Sequence, residues 1–361
     1  MFDALSQWRP TLESDDLQLS IVRNETGLAA LRDDWIGLYG RALDRSPSAT
    51  YDWISLCWEQ HRGDCGKRLH VIAVRSGGRL VLIAPLLVQS SWTGLGIVSW
   101  IDSKTPFYSD ILLEDSAAGQ VAARLAASIL VSDRGLLRMR LNLVPENAAA
   151  QHLLKHLKAR RNSARAVGIM DVAGFSSGDA FLTSLSQNLR RDYTRTRKML
   201  AKRGSVEITS ATTAEDVREA TAWLFETKRG QLQQKGTLSE WFADRRTEAL
   251  FADACMHGLT SGDCKLYLLK LNGALIAAEL VFTGPNTYYL SKSAYNAGFP
   301  KASLGTLLRL SVIMDAIAHG VTRIDFMLGT YEWKDRMKSS TESVVSYRID
   351  GFLLARLRWW H

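Results

Sequence analysis

The sequence predicts a mixed α/β fold in which one helix-and-strand unit occurs twice. Each half of the chain contains two apolar strands joined by a short turn, at Gly77-Gly78 in the first half and at Asn272-Gly273 in the second. In each half, helical segments precede this hairpin, and a helix followed by a strand comes after it. The repeated order favours an α+β architecture in which each copy is a mixed, mainly antiparallel sheet flanked by helices.

The first copy is predicted from segments with clear helical or strand periodicity. The helical segment SATYDWISLCWEQHRG leads to the hairpin LHVIAVRSGGRLVLIAPLLV. The helix AAGQVAARLAASILVS and the strand GLLRMRLNLV follow. These elements place the first domain at residues 17–168, after an N-terminal tail at residues 1–16.

The second copy, residues 169–361, has the same order. Two helices, AEDVREATAWLFETKRGQL and SEWFADRRTEALFADACMHGL, precede the hairpin KLYLLKLNGALIAAELVF and the strand TYYLSKSAYN. The helix LGTLLRLSVIMDAIAHG and the strand VTRIDFML complete it. The boundary is expected between about Arg160 and Gly178, near the small-residue stretch AGFSSGD. The alternative is one large mixed domain, which the two matched hairpins disfavour.

The composition is that of a globular protein with two domains. The chain has 361 residues, of which 46% are hydrophobic and 23% charged. Its net charge of +8 favours anionic partners such as phosphates, coenzyme A, nucleic acid or an anionic membrane surface. The alternative is a mildly basic protein without a polyanionic partner.

The sequence predicts neither secretion nor a membrane span. The start MFDALSQWRP lacks the features of a signal peptide, and the most apolar segment is interrupted by Lys270, Asn272 and Glu279. The four cysteines form no disulfide framework and no CxxC spacing. A reducing cytoplasm is therefore the expected location.

A metal site is not predicted. Cys57, His61 and Cys65 share a spacing that would align them on a helix, which could gather metal ligands. Gly63 is expected to end that helix before Cys65, and no fourth ligand is nearby. Core or surface positions are therefore favoured for these residues.

The stretch GFPKASLGTLLRL predicts a helix start that could bind an anion. Ser303 is expected to cap the helix, with Leu304, Gly305 and Thr306 in its first turn and Lys301 just before it. Exposed N–H groups and the positive end of the helix dipole suit a pyrophosphate. The pattern is common, however, and by itself favours a helix start that binds only water.

A second basic feature is the predicted helix NLRRDYTRTRKMLAKRG. It carries seven cations: Arg190, Arg191, Arg195, Arg197, Lys198, Lys202 and Arg203. Like charges at this spacing repel one another, so contact with the phosphates of a nucleotide cofactor or of RNA would offset a cost. The alternative is a solvated basic face whose Leu185, Leu189, Tyr193 and Leu200 pack inward.

The last predicted strand carries a carboxylate. Asp325 lies opposite the apolar face of this strand, and Glu332 and Lys334 follow it. If the sheet opens there, Asp325 is a candidate general base and Lys334 a candidate ligand for a carboxylate or phosphate of the acceptor. The alternative is a buried tether, in which Asp325 bonds backbone amides or pairs with Lys292, Arg323 or Lys334.

Two weaker features complete the candidates. Glu279 and Lys292 lie in neighbouring strands and could meet across the sheet, as an ion pair or as site groups. The terminal RLRWWH mixes cations with tryptophans, and docking onto the body of the protein is favoured over contact with a membrane surface.

Taken together, these segments resemble a family, the GNAT-like acetyltransferases of the CelD/BcsL type, which is associated with cellulose and exopolysaccharide biosynthesis. The resemblance covers nearly the whole chain. It rests on WIGLYGRALDRSPSATYDWISLCW, LVLIAPLLV, LSQNLRRDYTRTRKMLAKRG, YYLSKSAYNAGFPKASLGTLL and HGVTRIDFMLGTYEWKDRM. It implies tandem GNAT folds, akin also to the Fem-type aminoacyl transferases, with an acyl-CoA donor and an amine or hydroxyl acceptor.

The resemblance also implies residue roles. The donor's pyrophosphate would lie on the segment from Lys301 to Thr306, while Asp325, Tyr331 and Lys334 match the family's Asp, Tyr and Lys. The sequence departs from the family in two places. The pyrophosphate loop has one glycine where a standard GNAT loop has more, and Trp333 stands where the family has the Tyr before Lys.

The resulting hypothesis is an acyl-CoA-dependent acyltransferase without a metal, in which Arg190, Arg191, Arg195, Lys292 and Glu279 contact substrate. Its acceptor would be a small molecule or a glycan, and its partner a polysaccharide-synthesis complex in the cytoplasm or at the inner face of the membrane. One alternative is a Fem-like transferase that uses aminoacyl-tRNA. The other is a catalytically degenerate GNAT fold that serves as a scaffold or binding subunit.

Overall fold

The structure, a computed structural model, describes residues 16–90, 95–105, 107–133, 136–329 and 331–350. The terminal segments MFDALSQWRP and RLRWWH, and the predictions made for them, lie outside the described residues. No helix in the described part of the chain is long and apolar enough to cross a membrane.

The first half of the chain forms a hairpin-centred unit, as predicted. Its strands are β1 (Leu17–Val22), β2 (Lys67–Leu69), β3 (Val71–Ser76), β4 (Arg79–Ala84), β5 (Leu86–Ser90), β6 (Gly96–Trp100), β7 (Leu112–Leu113), β8 (Leu136–Pro145) and β9 (Arg160–Asp171). Its helices are α1 (Glu25–Ala30), α2 (Arg32–Tyr39), α3 (Tyr51–Glu59), α4 (Ala117–Ser132) and α5 (Ala150–Leu154), with a 3-10 turn at Pro47–Ala49.

The second half repeats this order. Its helices are α6 (Gly178–Ser184), α7 (Gln187–Ala201), α8 (Ala214–Gln234), α9 (Glu240–Ala243), α10 (Arg245–Ser261), α11 (Leu304–Ala318) and α12 (Glu332–Met337). Its strands are β10 (Val206–Ser210), β11 (Cys264–Leu271), β12 (Ala274–Thr283), β13 (Thr287–Tyr295), β14 (Arg323–Asp325) and β15 (Ser340–Asp350).

Both predicted hairpin turns form. Gly77 and Gly78 have φ values of 54° and 76°, and Asn272 and Gly273 have φ values of 51° and 78°. Two consecutive left-handed residues are the requirement of a type I′ turn, whose twist matches that of the strands it joins. The strands β3 and β4, and β11 and β12, are accordingly antiparallel neighbours.

The two halves exchange their last strands. In the described residues one sheet has eleven strands in the order β10-β11-β12-β13-β14-β9-β15-β8-β6-β5-β2. Strand β9 of the first half pairs with β14 of the second, and β15 of the second half pairs with β8 of the first. The flanking parallel pairs, β13 with β14 and β6 with β8, are equivalent in the two halves. This symmetry shows the duplication, although the sheet itself is continuous.

Because of this exchange, the predicted domain boundary does not fall in a loop between two separate sheets. The division at residues 168 and 169 falls inside β9, which also pairs with β15 along most of its length. The linker between the two units is therefore itself a central strand. A second, four-stranded sheet, in the order β1-β3-β4-β7, consists of strands of the first half alone.

Three elements differ from the prediction. The strand expected over VTRIDFML ends at Asp325, because Met327 adopts a left-handed backbone with φ of 57°. The segment after it forms α12, which the sequence analysis did not predict. The helix expected over SEWFADRRTEALFADACMHGL is divided at Asp244, whose carboxylate caps α10 by accepting from Arg246 N.

Aromatic packing joins the two halves. The Trp53 ring lies 5.7 Å from Phe107 in its own half, and 6.0 Å from Phe251 and 5.0 Å from Phe282 in the other. All four side chains are buried. The interface is therefore a shared apolar core, which gives the two units a fixed relative position.

Candidate active site

The sheet of the second half opens at one place. Strands β13 and β14 are parallel neighbours for three residue pairs, from Thr287–Arg323 to Tyr289–Asp325. Strand β14 ends there, whereas β13 continues to Tyr295. The pairing of the two strands therefore ends beside Asp325, which is itself buried. We call this end of the strand pairing the cleft.

Strand β13 is also distorted beside this cleft. Its register against β12 shifts between the pairs Leu280–Lys292 and Val281–Leu290, which leaves Ser291 as an extra residue. A bulge of this kind leaves its residue outside the hydrogen-bond ladder. Ser291 therefore has backbone groups that the sheet does not use.

Helix α11 begins next to the cleft, after the loop that follows β13. The prediction that Ser303 caps this helix was wrong, since its side chain makes no capping bond; instead its N–H donates to Thr196 Oγ1 at 3.0 Å. The Ser303 hydroxyl therefore accepts no hydrogen bond from the first-turn N–H groups of Leu304, Gly305 and Thr306. Lys301 is exposed just before them.

The predicted basic helix is α7, and it packs directly against the start of α11. Thr196, which is fully buried, provides the contact to Ser303. The Arg203 guanidinium lies 5.3 Å from the centre of the Phe299 ring in the loop before α11. The structure therefore brings together two features that are a hundred residues apart in the sequence.

The cations of α7 face solvent, as the solvated-face alternative expected. Leu189, Tyr193 and Leu200 are buried. The exposed cations are Arg190, Arg191, Arg195, Arg197 and Lys198 on α7, and Lys202 and Arg203 just after it. Arg195 pairs with Asp192 at 3.0 Å. The other cations of the helix provide a positive surface beside the α11 start.

Asp325 is held as the tether alternative expected. Its Oδ1 accepts from the Tyr108 hydroxyl at 2.9 Å and from Met327 N at 2.7 Å, and Arg323 Nη2 lies 3.9 Å from Oδ2. The residue is buried. Burial raises the pKa of Asp325 to about 6, although these bonds oppose the rise. Tyr108 was not a candidate from the sequence.

Lys334 closes the end of the same loop. Its Nζ donates to the carbonyls of Met327 and Leu328 at 2.9 and 2.7 Å. Burial lowers the pKa of this lysine to about 8. Tyr331, by contrast, is exposed, and its ring centre lies 5.5 Å from Lys334 Nζ. Lys334 is therefore a buried cation, and Tyr331 is a ring at the surface beside it.

Glu279 and Lys292 do not form the ion pair that the sequence analysis considered. Glu279 is buried and pairs with Arg309 of α11 at 3.2 Å. Arg309 also donates to Ser293 Oγ at 3.3 Å and lies 3.5 Å from the Trp333 ring centre. Sequence reasoning missed Arg309, although a lone arginine in the apolar pattern of LGTLLRLSVIM was a signal for a buried partner.

A cavity of about 240 Å³ lies between the halves, close to this region. Its wall includes Asp102, His61 and Thr105 from the first half and Trp241 and Thr247 from the second. Trp241 of this wall also lies beside β13, since Lys292 Nζ is 5.0 Å from its ring centre. Among the described residues, no group of three or more His, Cys, Asp and Glu side chains could hold a metal ion.

These features define a tandem GNAT fold: a parallel strand pair that opens, a bulged strand beside it, and a helix start facing the opening. Comparison with known sequences supports this class. Residues 187–335 match the family described as "Acetyltransferase (GNAT) domain". The chain therefore carries a GNAT-type acyltransferase domain in its second half. No curated protein matches the chain in sequence.

Solved structures share the fold over nearly the whole chain. FemX has a TM-score of 0.63 with 13% identity, over 90% of this chain and 98% of FemX. A conserved protein of unknown function from Bacteroides thetaiotaomicron VPI-5482 has a TM-score of 0.57 with 14% identity, over 92% and 100%. L-PGS from Bacillus licheniformis has a TM-score of 0.52 with 10% identity, over 92% and 95%. At these identities the likeness concerns the fold.

Proposed function

We propose that this protein transfers an acyl group from an acyl-coenzyme A to an amine or hydroxyl acceptor. The observation that carries the proposal is the opening between β13 and β14, which faces the start of α11 within the segment that matches a GNAT domain. A thioester in this opening would lie beside the bulge at Ser291. An N–H of the bulge would polarise its carbonyl.

The donor's pyrophosphate would bind at the start of α11. The N–H groups of Leu304, Gly305 and Thr306 are available there, and Lys301 adds a cation. The exposed arginines of α7 would contact the remaining phosphate of coenzyme A, because α7 packs against this helix start through Thr196.

The acceptor would enter from the cavity between the halves. Trp241 of the cavity wall lies beside Lys292 of β13, on the side of the sheet opposite α11. Polar groups from both halves line it, which suits a small molecule or a glycan with several hydroxyl groups. We propose a precursor of a cell-surface polysaccharide as the acceptor and the cytoplasm as the location.

In this mechanism Lys334 and Asp325 have positioning roles. Lys334 fixes the loop that ends the opening by bonding two of its carbonyls, and Asp325 joins that loop to Tyr108 of the first half. Tyr331 lies exposed beside Lys334, where it would contact the acceptor or donor. The transfer is direct, with no acyl-enzyme intermediate.

A second candidate is a Fem-like transfer of an aminoacyl group from tRNA. The exposed cations of α7 favour it, because such a helix would bind RNA phosphates as readily as those of coenzyme A. Shared fold with FemX agrees with this candidate. A third candidate, a catalytically degenerate scaffold, is favoured by the single glycine of the α11 loop.

Titration calorimetry distinguishes these candidates. Acyl transfer predicts heat on addition of coenzyme A or acetyl-CoA, and a raised unfolding temperature. A Fem-like transferase predicts binding of tRNA with an affinity that falls steeply with salt. If the protein shows no heat and no thermal shift with millimolar coenzyme A, and does not bind tRNA, the scaffold is the candidate that remains. Release of free thiol from acetyl-CoA, measured with a panel of amines and amino sugars, then identifies the acceptor class.

A further inference from the structure

Lys292 occupies a distinctive position on β13. It follows the bulge residue Ser291, on the strand that parts from β14 at the opening. Its side chain points to the face of the sheet that carries α9 and α10, because it lies near Trp241 and Phe251. It therefore lies next to the opening and beside Trp241, which lines the cavity between the halves.

The amine of Lys292 is held without a carboxylate partner. Its Nζ donates to the carbonyl and the hydroxyl of Ser291, both at 3.2 Å, and lies 5.0 and 5.4 Å from the ring centres of Trp241 and Phe251. In the part of the chain that the structure describes, no Asp or Glu pairs with it. Glu279, on the neighbouring strand, forms an ion pair with Arg309.

The charges that face Lys292 are positive. Lys228 of α8 and Lys334 of α12 both act on it, in addition to its burial against the two rings. Burial has the largest effect and these two cations add to it; together they lower the pKa of Lys292 to about 7. A substantial fraction of this amine is therefore neutral at neutral pH. A neutral amine with two N–H groups bonded to Ser291 keeps its lone pair for another group.

We propose that Lys292 is the proton acceptor of the acyl transfer. The acceptor's nitrogen or oxygen forms a bond to the acyl carbon, and the carbon–sulfur bond breaks with its electron pair going to sulfur. The proton leaves the acceptor for Lys292 Nζ and passes from there to the coenzyme A thiolate or to solvent. This assignment rests on the proposed function, and it names the base that the proposed function lacks.

The two buried carboxylates are less suited to this role. Asp325 Oδ1 already accepts two hydrogen bonds, and Glu279 is paired with a guanidinium. A general base needs a free lone pair within hydrogen-bond reach of the proton that it takes. Of these three groups, Lys292 is the one without an ionic partner, since Arg323 lies beside Asp325 and Arg309 beside Glu279. Glu279 Oε2 accepts no hydrogen bond from the described residues, but Glu279 lies on the α11 face of the sheet, opposite Lys292.

The first experiment measures the amine itself and needs no acceptor. Competitive labelling of the intact protein with acetic anhydride between pH 5 and 10, followed by peptide mass spectrometry, gives the protonation midpoint of each lysine. Lys292 is expected to titrate near pH 7. An ordinary midpoint for Lys292 would overturn the proposal.

The second experiment measures transfer from acetyl-CoA to the amine or amino sugar identified above. The wild-type rate should rise with pH to a plateau above about pH 7, because the neutral amine is the active form. Lys292→Met should lower the plateau by about 10²–10⁴-fold and remove this limb. Lys292→Arg should do the same, since an arginine keeps the charge but cannot accept a proton.

The matched variant Lys228→Met leaves the base in place. Removal of this neighbouring cation should move the limb to higher pH, a change that a structural role of Lys292 would not produce. Calorimetry with coenzyme A keeps the two proposals apart. If wild-type protein binds no coenzyme A, the proposed function falls and this assignment with it. If both Lys292 variants bind it and transfer within about threefold of wild type, this assignment alone is wrong.

Discussion

The hydroxyl of Tyr108 donates to Asp325 Oδ1 at 2.9 Å, across 217 residues of sequence. Both residues are buried, and they belong to different halves of the duplicated fold. The bond fixes the end of β14, where the sheet opens, to the first unit. Asp325 is therefore a link between the halves.

Replacement of Asp325 separates its two possible roles. As a link, Asp325→Asn keeps an oxygen acceptor and should retain transfer within about tenfold, whereas Asp325→Ala leaves two donors unpaired and should lower the free energy of unfolding by about 1–3 kcal/mol. Urea denaturation and the transfer assay measure both quantities. A loss of more than about a hundredfold in Asp325→Asn, at unchanged stability, would instead identify a general base. Tyr108→Phe serves as the control for the link.

Lys334 should contribute to stability as well as to transfer. Lys334→Met removes the donor to the buried carbonyl of Met327 and the partly buried carbonyl of Leu328, and it is expected to cost about 1–3 kcal/mol in the free energy of unfolding. The matched control is Lys338→Met on the same segment, which breaks a surface pair with Asp335 and should change stability by less than about 0.5 kcal/mol. Equal unfolding midpoints for the two variants would contradict this role.

The pair of Glu279 and Arg309 should be costly to break from one side. Glu279→Leu leaves a buried guanidinium without its carboxylate, which typically costs about 3–5 kcal/mol. The double variant with Arg309→Leu removes both charges and should recover most of that loss. Thermal and urea unfolding of the three proteins provide the comparison. A double variant as unstable as Glu279→Leu would show that the guanidinium matters through Ser293 and Trp333 instead.

The arginines of α7 should affect binding and leave stability unchanged. The double change Arg191→Gln with Arg195→Gln removes two exposed charges and is expected to weaken coenzyme A binding about five- to tenfold, or about 1–1.4 kcal/mol. Calorimetry at two salt concentrations measures this effect. Arg165→Gln with Arg218→Gln, also exposed but distant in sequence, is the control. If coenzyme A binding weakens equally in both double variants, the effect comes from the net charge of the protein and not from a contact with α7.

Asp102 should make the protein less stable as pH rises. Burial raises the pKa of Asp102 to about 7, so between about pH 4 and 7 the folded state binds a proton that the unfolded state has lost. Its contribution to stability is complete below about pH 4 and disappears as pH rises through 7. Unfolding free energies in urea between pH 4 and 8 should show a slope that Asp102→Asn reduces. An unchanged slope in Asp102→Asn would contradict this prediction.

Local pattern predicted much of the fold. The helix over AAGQVAARLAASILVS begins and ends at the predicted residues, and both hairpin turns occur where glycine or asparagine allows a left-handed backbone. These features depend on side chains within a few positions of each other. The strand over VTRIDFML was predicted too long, because the left-handed Met327 that ends it is fixed by contacts from Asp325.

The sequence by itself determined the duplicated unit, the basic helix and the segment from Lys301 to Thr306, since each depends on a pattern of residues that are close together in the chain. Only the tertiary structure decided the exchange of β9 and β15, the bond between Tyr108 and Asp325, and the opposite faces on which Glu279 and Lys292 lie. These depend on strand register and on partners far along the chain. The register shift at the bulge of β13 turns the Lys292 side chain toward Trp241. The residues around Lys292 in the sequence do not show that Trp241 lies on that face.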